Sequence, residues 1–284
     1  MTIGRGIHHF AKSIIPNPVW RRMSAVRNSR RLYNYYFKPQ IDTIFPIVLA
    51  TGETHNFTYN LTDRNLLYLT ETIACITKRP PNEIAAYIEE GIPNQDIHTR
   101  AAKATPNPRL NSRSPFGRRV GWYAIARAIK PQVIVETGVD RGQGALILCA
   151  ALLRNAAEGK AGRYYGTDID PEAGWLLTGK YAEVGTILYG DSIASLEKLS
   201  KNIDLFINDS DHSAEYEYRE YQTVRPHLTS GAIILGDNAH ATDKLALFSR
   251  ENGRQFLFFR EEPKDHWYPG AGIGFSFPNH QTSN

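Results

Sequence analysis

Residues 132–144 read Gln-Val-Ile-Val-Glu-Thr-Gly-Val-Asp-Arg-Gly-Gln-Gly, and this stretch decides the fold. Its first half is short, apolar and rich in β-branched residues, which predicts a buried strand. The glycines at 138, 142 and 144 allow a tight turn and let a ligand approach the backbone, and a helix is predicted over 143–155. The spacing differs from the GxGxxG dinucleotide fingerprint, so the loop alone also fits an ordinary strand-to-helix turn.

Strand and helix patterns alternate from residue 115 onward. Further strands are predicted at 163–168, 186–190, 203–207 and 232–235, and further helices at 172–182, 193–200, 214–226 and 241–250. Short apolar strands separated by helices of about ten residues predict an α/β fold with a doubly wound parallel sheet. The last two strands, 255–259 and 272–277, have no helix between them, so we expect an antiparallel pair at one edge.

The first 114 residues have a different pattern, and we expect them to form a basic arm and a helical cap before a second domain at 115–284. Capped helices are predicted over 66–76 and from Pro81 to Gly91. This pair also resembles a DNA-reading helix-turn-helix, but glutamates on its second helix would repel phosphate. Residues 92–115 are rich in Pro, Asn, Arg and Ser, which indicates a linker or a flexible lid.

The net charge of +4 is unevenly distributed along the chain. Residues 1–40 carry eight Arg and Lys and no Asp or Glu, so the remainder carries −4. We expect a basic helix that packs on its own domain or on a second subunit, the latter giving a homo-oligomer. An anionic partner and an organelle-targeting peptide are the alternatives. Nucleic acid is not expected, because the sequence has no zinc-finger, RNA-recognition or KH pattern.

The composition excludes several classes of protein. The chain has 284 residues, 42% of them hydrophobic and 22% charged, which are ordinary globular values. Its longest apolar run spans the nine residues 145–153, whereas a membrane helix needs about 20. No transmembrane segment is therefore expected. Two cysteines exclude a disulfide framework and agree with a reducing, cytoplasmic location.

Acidic residues follow the second and third predicted strands, at the sheet edge where α/β proteins bind ligands. Asp168 ends the second strand, where a carboxylate can accept both hydroxyls of a ribose. The third strand ends at Asp191 and Ser192, where an acceptor could take a purine amino group. Asp191 could instead only cap the next helix, as Asp170 is expected to do. Together with the glycine loop, these positions favour an adenosine ligand.

In these features, residues 115–277 resemble a class I S-adenosylmethionine-dependent methyltransferase. The resemblance rests on the E-x-G-x-x-x-G loop of 136–142, the acid closing the second strand and the final antiparallel pair. It implies a Rossmann-like sheet of seven strands, mostly parallel with an antiparallel last strand, beside the N-terminal helical region. It also implies S-adenosylmethionine as cofactor, with Glu136, Gly138 and Gly142 around its methionine part, Asp168 on the ribose, and Asp191 and Ser192 near the adenine.

The fourth and fifth strands end in Asp209 and in Asp237-Asn238. Neighbouring strands lie about 4.8 Å apart, so these three oxygen donors should converge. Hard oxygen ligands suit Mg²⁺ or a similar divalent cation. The pattern resembles metal-dependent O-methyltransferases of the catechol, caffeoyl-CoA and antibiotic-sugar types, which implies that Asp209, Asp237 and Asn238 are metal ligands. The alternative is helix capping without a metal.

The catechol-type enzymes place a lysine base three residues after the first metal aspartate, and this chain has His212 there. A histidine can take a hydroxyl proton near neutral pH. Asp211 is the competing base or the group that orients His212, and the alternative for His212 is a structural role beside a helix N-cap. Near the last strands, His266, Trp267 and Tyr268 either contact the substrate or pack the sheet edge.

The sequence therefore predicts a metal-dependent O-methyltransferase that acts on a small molecule with a chelating hydroxyl, such as a catechol or a sugar diol, in natural-product biosynthesis. A metal-independent methyltransferase acting on nitrogen or carbon is one alternative. A non-catalytic nucleoside-binding protein is the other.

Overall fold

The computed structural model describes residues 16–51, 56, 58–91, 95–104, 116–199 and 202–279. Its contacts divide the chain into two compact units. One comprises Met1–Gly52 and Asp265–Trp267, and the other comprises Glu53–Lys264 and Tyr268–Asn284. The unit that contains the sheet thus begins at Glu53, whereas a functional boundary at 114/115 stays a prediction.

The first unit is helical over residues 17–51. Helix α1 spans Asn17–Leu32, a π-helical turn covers Tyr33–Phe37, and α2 spans Lys38–Thr51. No residue of α1 is buried, and basic side chains alternate along it with exposed apolar ones. Residues 1–15 of the predicted basic arm lie outside the described residues.

The second unit alternates helices and strands along most of its length. Its helices are α3 Asp63–Thr77, α4 Pro81–Gly91, α5 Gln95–Ala101, α6 Val120–Ile129, α7 Gln143–Ala157, α8 Ser192–Lys198, α9 Ala214–Val224 and α10 Lys244–Glu251. Its strands are β1 Asn60–Leu61, β2 Val133–Thr137, β3 Arg163–Asp168, β4 Gly185–Tyr189, β5 Ile203–Asn208, β6 Leu228–Gly236, β7 Arg254–Phe259, β8 Pro263–Lys264 and β9 Ile273–Pro278.

Seven strands form one sheet in the order β4–β3–β2–β5–β6–β9–β7. All neighbours are parallel except β9, which runs antiparallel to both β6 and β7. The predicted fold class is confirmed, including the antiparallel last strand. β9 lies inside the sheet and β7 forms its edge, because the chain inserts the last strand between β6 and β7.

The register brings the carboxyl ends of the central strands together. Thr137 at the end of β2 pairs with Asn208 at the end of β5, and Asn208 pairs with Gly236 at the end of β6. Chain order reverses between β2 and β5, since β3 and β4 lie on one side of β2 and β5 lies on the other. A doubly wound sheet binds ligands at such a reversal.

Two expectations about local structure were wrong. Residues 172–182 form turns and a short 3₁₀ helix, Gly179–Tyr181, rather than an α-helix. The reason is that the segment bonds to the glycine loop: the amide of Gly174 donates to the carbonyl of Asp140 at 2.6 Å. Within the predicted linker, residues 95–104 are helical and Ile97 is buried, while 92–94 and 105–115 lie outside the described residues.

Helix α6 packs against α3, α4 and α7 and joins the N-terminal helices to the sheet. Its Trp122 and Tyr123 are fully buried, which agrees with a role in the core. No helix among the described residues is long and apolar enough to cross a membrane.

Candidate active site

A cleft of about 1220 Å³ opens at the carboxyl ends of β2 to β6. The predicted site residues that line it are Glu136, Gly138, Asp168, Asp191, Ser192, Asp209, Asp211, His212, Asp237 and Asn238. Gly142 does not line it and instead precedes the first residue of α7. The structure thus brings together nearly every position that the strand-end argument selected, while their functional roles stay predictions.

Gly138 is required by the close approach of two strand-end loops. Its φ of +79° lies in the left-handed region, and a Cβ there would lie 2.1 Å from the carbonyl oxygen of Asp209. Any side chain would therefore separate the glycine loop from the end of β5. The result is a bare backbone surface beside Glu136, which fits the methionine part of the predicted cofactor.

Glu136 is a buried acid at the end of β2. The hydroxyl of Tyr164 donates a hydrogen bond to its Oε2. Burial raises the pKa of Glu136 to about 7, although the Tyr164 hydrogen bond and the Arg119 charge both lower it. A cationic ligand group at this position would favour the ionised form of Glu136.

Asp168 holds the glycine loop against the end of β3. Its Oδ2 accepts the amides of Val139 and Asp140 at 2.9 and 2.8 Å, and its Oδ1 accepts the amide of Asp170 at 2.9 Å. Because each carboxylate oxygen can accept two hydrogen bonds, Oδ1 retains capacity for a ribose hydroxyl. Asp170 accepts the amide of Glu172 at 2.9 Å, so it stabilises the following turn.

Asp191 caps α8 and also belongs to the cleft. Its Oδ1 accepts the amide of Ala194 at 2.9 Å, and its Oδ2 accepts the hydroxyl of Tyr216 at 2.7 Å. These two hydrogen bonds lower the pKa of Asp191. Both the capping role and a ligand role therefore remain compatible with its position.

Sequence reasoning missed several residues that line the cleft, and three of them could contact a ligand. Tyr216 lines it from the first turn of α9 and contacts the Ser192 hydroxyl at 2.9 Å. Ile169 lines it with 81% of its surface exposed, and such an apolar side chain suits a base ring. Its position directly after Asp168 was a usable signal. The third residue, Arg119, precedes α6 and carries no local signal at all.

Glu220 is a further residue that sequence reasoning missed, and it lies buried behind the cleft on α9. Its carboxylate accepts the hydroxyls of Thr137 and Ser210 at 3.1 and 2.7 Å, and it also accepts from Ser192 and Asn208. One carboxylate therefore links the ends of β2 and β5 to the first residue of α8. Burial raises the pKa of Glu220, and its donors oppose that shift.

The predicted metal ligands are already engaged by other side chains. Arg118 binds Asp237 in a bidentate ion pair, with Nη2 at 2.5 and 2.6 Å from the two carboxylate oxygens and Nε at 2.9 Å from Oδ1. Its Nη1 donates to Glu261 at 2.9 Å. Nη2 of Arg119 lies 3.2 Å from Oδ2 of Asp209.

These arginines make the predicted set a poor fit for a divalent cation. A cation would have to displace the guanidinium groups from both carboxylates, and the amide oxygen of Asn238 is also taken. Burial raises the pKa of Asp237, but the charges of the two arginines lower it by more than burial raises it. The pKa of Asp237 therefore lies below its usual range.

His212 is oriented by Asn238. Nδ1 of His212 lies 2.5 Å from Oδ1 of Asn238, and an amide oxygen only accepts hydrogen bonds. In the neutral tautomer with its proton on Nδ1, the ring donates to this oxygen and Nε2 keeps its lone pair. The carboxylate of Asp211 accepts the amide of Ser213 at 2.7 Å at the start of α9, so it stabilises this turn.

The aromatic residues His266, Trp267 and Tyr268 are divided between the two units. Tyr268 lines the cleft and packs against Tyr59, with ring centroids 5.8 Å apart. In the first unit, the rings of His266 and Trp267 stack on each other at 5.4 Å. Only Tyr268 of the three is thus placed at the cleft.

Residues 135–239 match a protein-family model described as a methyltransferase domain. A methyltransferase of Podospora anserina, bound to S-adenosylhomocysteine, is 19% identical over 70% of this chain and 94% of its own, with a TM-score of 0.49. The O-methyltransferase TomG of Streptomyces achromogenes, involved in tomaymycin synthesis, is 14% identical over 68% of this chain and 89% of its own, with a TM-score of 0.42. A methyltransferase of Geobacter sulfurreducens is 15% identical over 77% of this chain and 91% of its own, with a TM-score of 0.42. No curated protein matches the chain.

Proposed function

We propose that this chain is an S-adenosylmethionine-dependent methyltransferase with a class I fold. It transfers the methyl group of S-adenosylmethionine to a hydroxyl oxygen of a small molecule. His212 is the base that takes the hydroxyl proton. The observation that carries the proposal is the bond between Nδ1 of His212 and Oδ1 of Asn238 inside the cleft.

The chemistry of this pair suits an acceptor with an ionisable proton. A neutral imidazole with a free Nε2 can accept a proton at physiological pH. Asn238 holds the ring by Nδ1, which leaves Nε2 as the nitrogen that takes the proton in this tautomer. Asp211 supports the same turn and is not needed as a base.

The same cleft offers the cofactor site. S-Adenosylmethionine supplies an electrophilic methyl group on a sulfonium when it is bound. Gly138 and Glu136 would contact its methionine part, Asp168 its ribose, and Asp191 with Ser192 its adenine.

The proposal needs no divalent cation, because Asp237 and Asp209 are bound by Arg118 and Arg119. The acceptor is a small molecule and not a nucleic acid. The exposed apolar and basic surface of α1 supports a homo-oligomer contact through the N-terminal region. A cytoplasmic location remains part of the proposal.

The test is methyl transfer from radiolabelled S-adenosylmethionine to a panel of hydroxyl acceptors. His212→Ala should lower turnover by about 10²- to 10⁴-fold without weakening cofactor binding. His227→Ala is the matched control, since that histidine lies outside the cleft. Transfer to amine or carbon acceptors only would favour the first alternative, and cofactor binding without any transfer would favour the second.

A further inference from the structure

Two arginines lie at the sheet edge where the sequence predicted a cation. They belong to the 3₁₀ turn Gly117–Arg119 directly before α6. All three guanidinium nitrogens of Arg118 already donate hydrogen bonds, since Nε, Nη1 and Nη2 donate to Asp237 or Glu261. Its role is therefore structural, and it holds the end of β6 against the chain that follows β7.

The guanidinium group of Arg119 uses only part of its capacity to donate hydrogen bonds. Among the described residues, its single hydrogen bond runs from Nη2 to Asp209, at 3.2 Å. Its guanidinium lies over the ring of Trp122, 5.1 Å from the centroid, which fixes the plane of the group. Among the same residues, Nε is buried and has no hydrogen-bond partner, and Nη1 makes no hydrogen bond. The 14% of this side chain that is exposed belongs to the lining of the cleft.

Asn238 shows the same unfilled donor capacity. Its Oδ1 is engaged by His212, while Nδ2 is buried with no partner among the described residues. The residue is 2% exposed and also lines the cleft. Leaving a buried N–H group unpaired is unfavourable, so donors without partners at a cleft indicate where a ligand oxygen binds.

We propose that Arg119 is the resident cation of this active site, and that its guanidinium and the Asn238 amide bind the acceptor oxygen as it becomes an oxyanion. This inference rests on the proposed function. It also defines the substrate class. A metal ion fixes two chelating oxygens, whereas these N–H donors need one, so a lone phenolic or enolic hydroxyl suffices and a vicinal diol is not required.

The step balances with groups that the site holds. The hydroxyl proton passes to Nε2 of His212 as the oxygen–carbon bond forms and the carbon–sulfur bond of the donor breaks. The electron pair of that bond stays on sulfur, which leaves as a neutral thioether. The positive charge lost from sulfur reappears on the imidazolium of His212, and Arg119 stabilises the oxygen while it is negative.

The first test uses 4-nitrophenol as a probe, in the presence of S-adenosylhomocysteine so that no methyl transfer occurs. At a pH below the solution pKa of the phenol, the wild-type protein should shift bound 4-nitrophenol toward its yellow phenolate. Arg119→Met should abolish the phenolate band, and Arg119→Lys should restore part of it. Arg163→Met is the matched control, because Arg163 lies outside the cleft and is exposed.

The phenolate band distinguishes direct contact between Arg119 and the oxygen of 4-nitrophenol from a purely structural role of Arg119. If Arg119 only held Asp209 in place, the phenolate band would persist in Arg119→Met. A band of equal strength in that variant, or no band in the wild type, overturns the inference. Unchanged affinity for S-adenosylhomocysteine shows that each variant is folded.

The second test separates the inference from the proposed function. With a monohydroxyl acceptor, turnover should continue in chelator, and Arg119→Met should lower kcat/KM by about 10²- to 10³-fold. Turnover that requires Mg²⁺, or a Mn²⁺ ion bound to the apoprotein and lost in Asp237→Asn, overturns the inference and leaves O-methylation standing. If no hydroxyl acceptor is methylated with or without metal, the proposed function fails, and the phenolate band still decides the role of Arg119.

Discussion

Replacing Arg118 with Met should be among the most destabilising single changes in this chain. The Arg118 side chain is 8% exposed and that of its bidentate partner Asp237 is 7% exposed, and the second partner, Glu261, is fully buried. Methionine fills similar space but leaves two carboxylates in the interior without a cation. Removing one partner of a buried ion pair costs about 3–5 kcal/mol, because the other charge stays buried.

The expected loss can be measured as a shift in unfolding. For a unit of this size, 1 kcal/mol corresponds to about 2–4 °C, so Arg118→Met should lower the Tm by about 6–20 °C. Circular dichroism during heating and urea titration would both report it. The double variant Arg118→Met with Asp237→Asn should recover part of the loss, since it removes one of the stranded charges.

The matched control is Arg64→Met. Arg64 pairs with Glu262 at 2.7 Å, but these side chains are 65% and 38% exposed, so solvent screening should leave the pair little effect on stability. Equal shifts for Arg118→Met and Arg64→Met would refute the argument from burial. A Tm that rises with Mg²⁺ in Arg118→Met but not in the wild type would indicate that the carboxylates can accept a cation once the arginine is gone.

Three further outcomes follow from the geometry. Burial places the pKa of Glu136 near 7, above the ordinary value of 4.5, so the folded chain holds this proton longer than the unfolded chain. The free energy of unfolding should therefore be highest below about pH 4.5 and fall by up to about 3 kcal/mol as the pH rises to 7, and Glu136→Gln should remove that part of the pH dependence in urea titrations. Gly138→Ala should abolish cofactor binding in calorimetry and cost about 1–3 kcal/mol more than Gly159→Ala, because both glycines have a φ near +79° but only Gly138 has a backbone atom, 2.1 Å away, where the Cβ would lie. Equal behaviour of the two variants would contradict this. Glu220→Gln should cost about 3 kcal/mol in thermal unfolding, because an amide presents donors to side chains that already donate to this carboxylate, and an unchanged Tm would count against its role.

Local patterns were enough to predict the sheet. Strand periodicity and helix signals depend on neighbouring residues, so β2, β3, β5 and the final antiparallel pair could be located from the amino-acid sequence alone. The segment 172–182 was mistaken for a helix because the amides of Gly174 and Leu176 donate to the glycine loop, some 35 residues earlier. No local signal reports such a bond.

The cleft could be predicted in part for a related reason. Parallel strands end at one edge, so Asp168, Asp191, Asp209 and Asp237 had to lie near each other in a doubly wound sheet. The hydrogen-bond partners of these acids could not be predicted from the order and direction of the strands. Asp168 was expected on a ribose and also holds a loop, and Asp191 was expected near a base and also caps α8.

By itself, the sequence determined the α/β class, the seven strands and the set of acids at one sheet edge, because those features follow from periodicity and from the direction of parallel strands. Only the tertiary structure decided what faces those acids. Arg118 meets Asp237 across 119 positions of chain, and Arg119 meets Asp209 across 90. The acids alone predicted a metal, whereas the fold also places guanidinium groups beside two of them. Side chains distant in sequence determine the charge that a buried carboxylate meets.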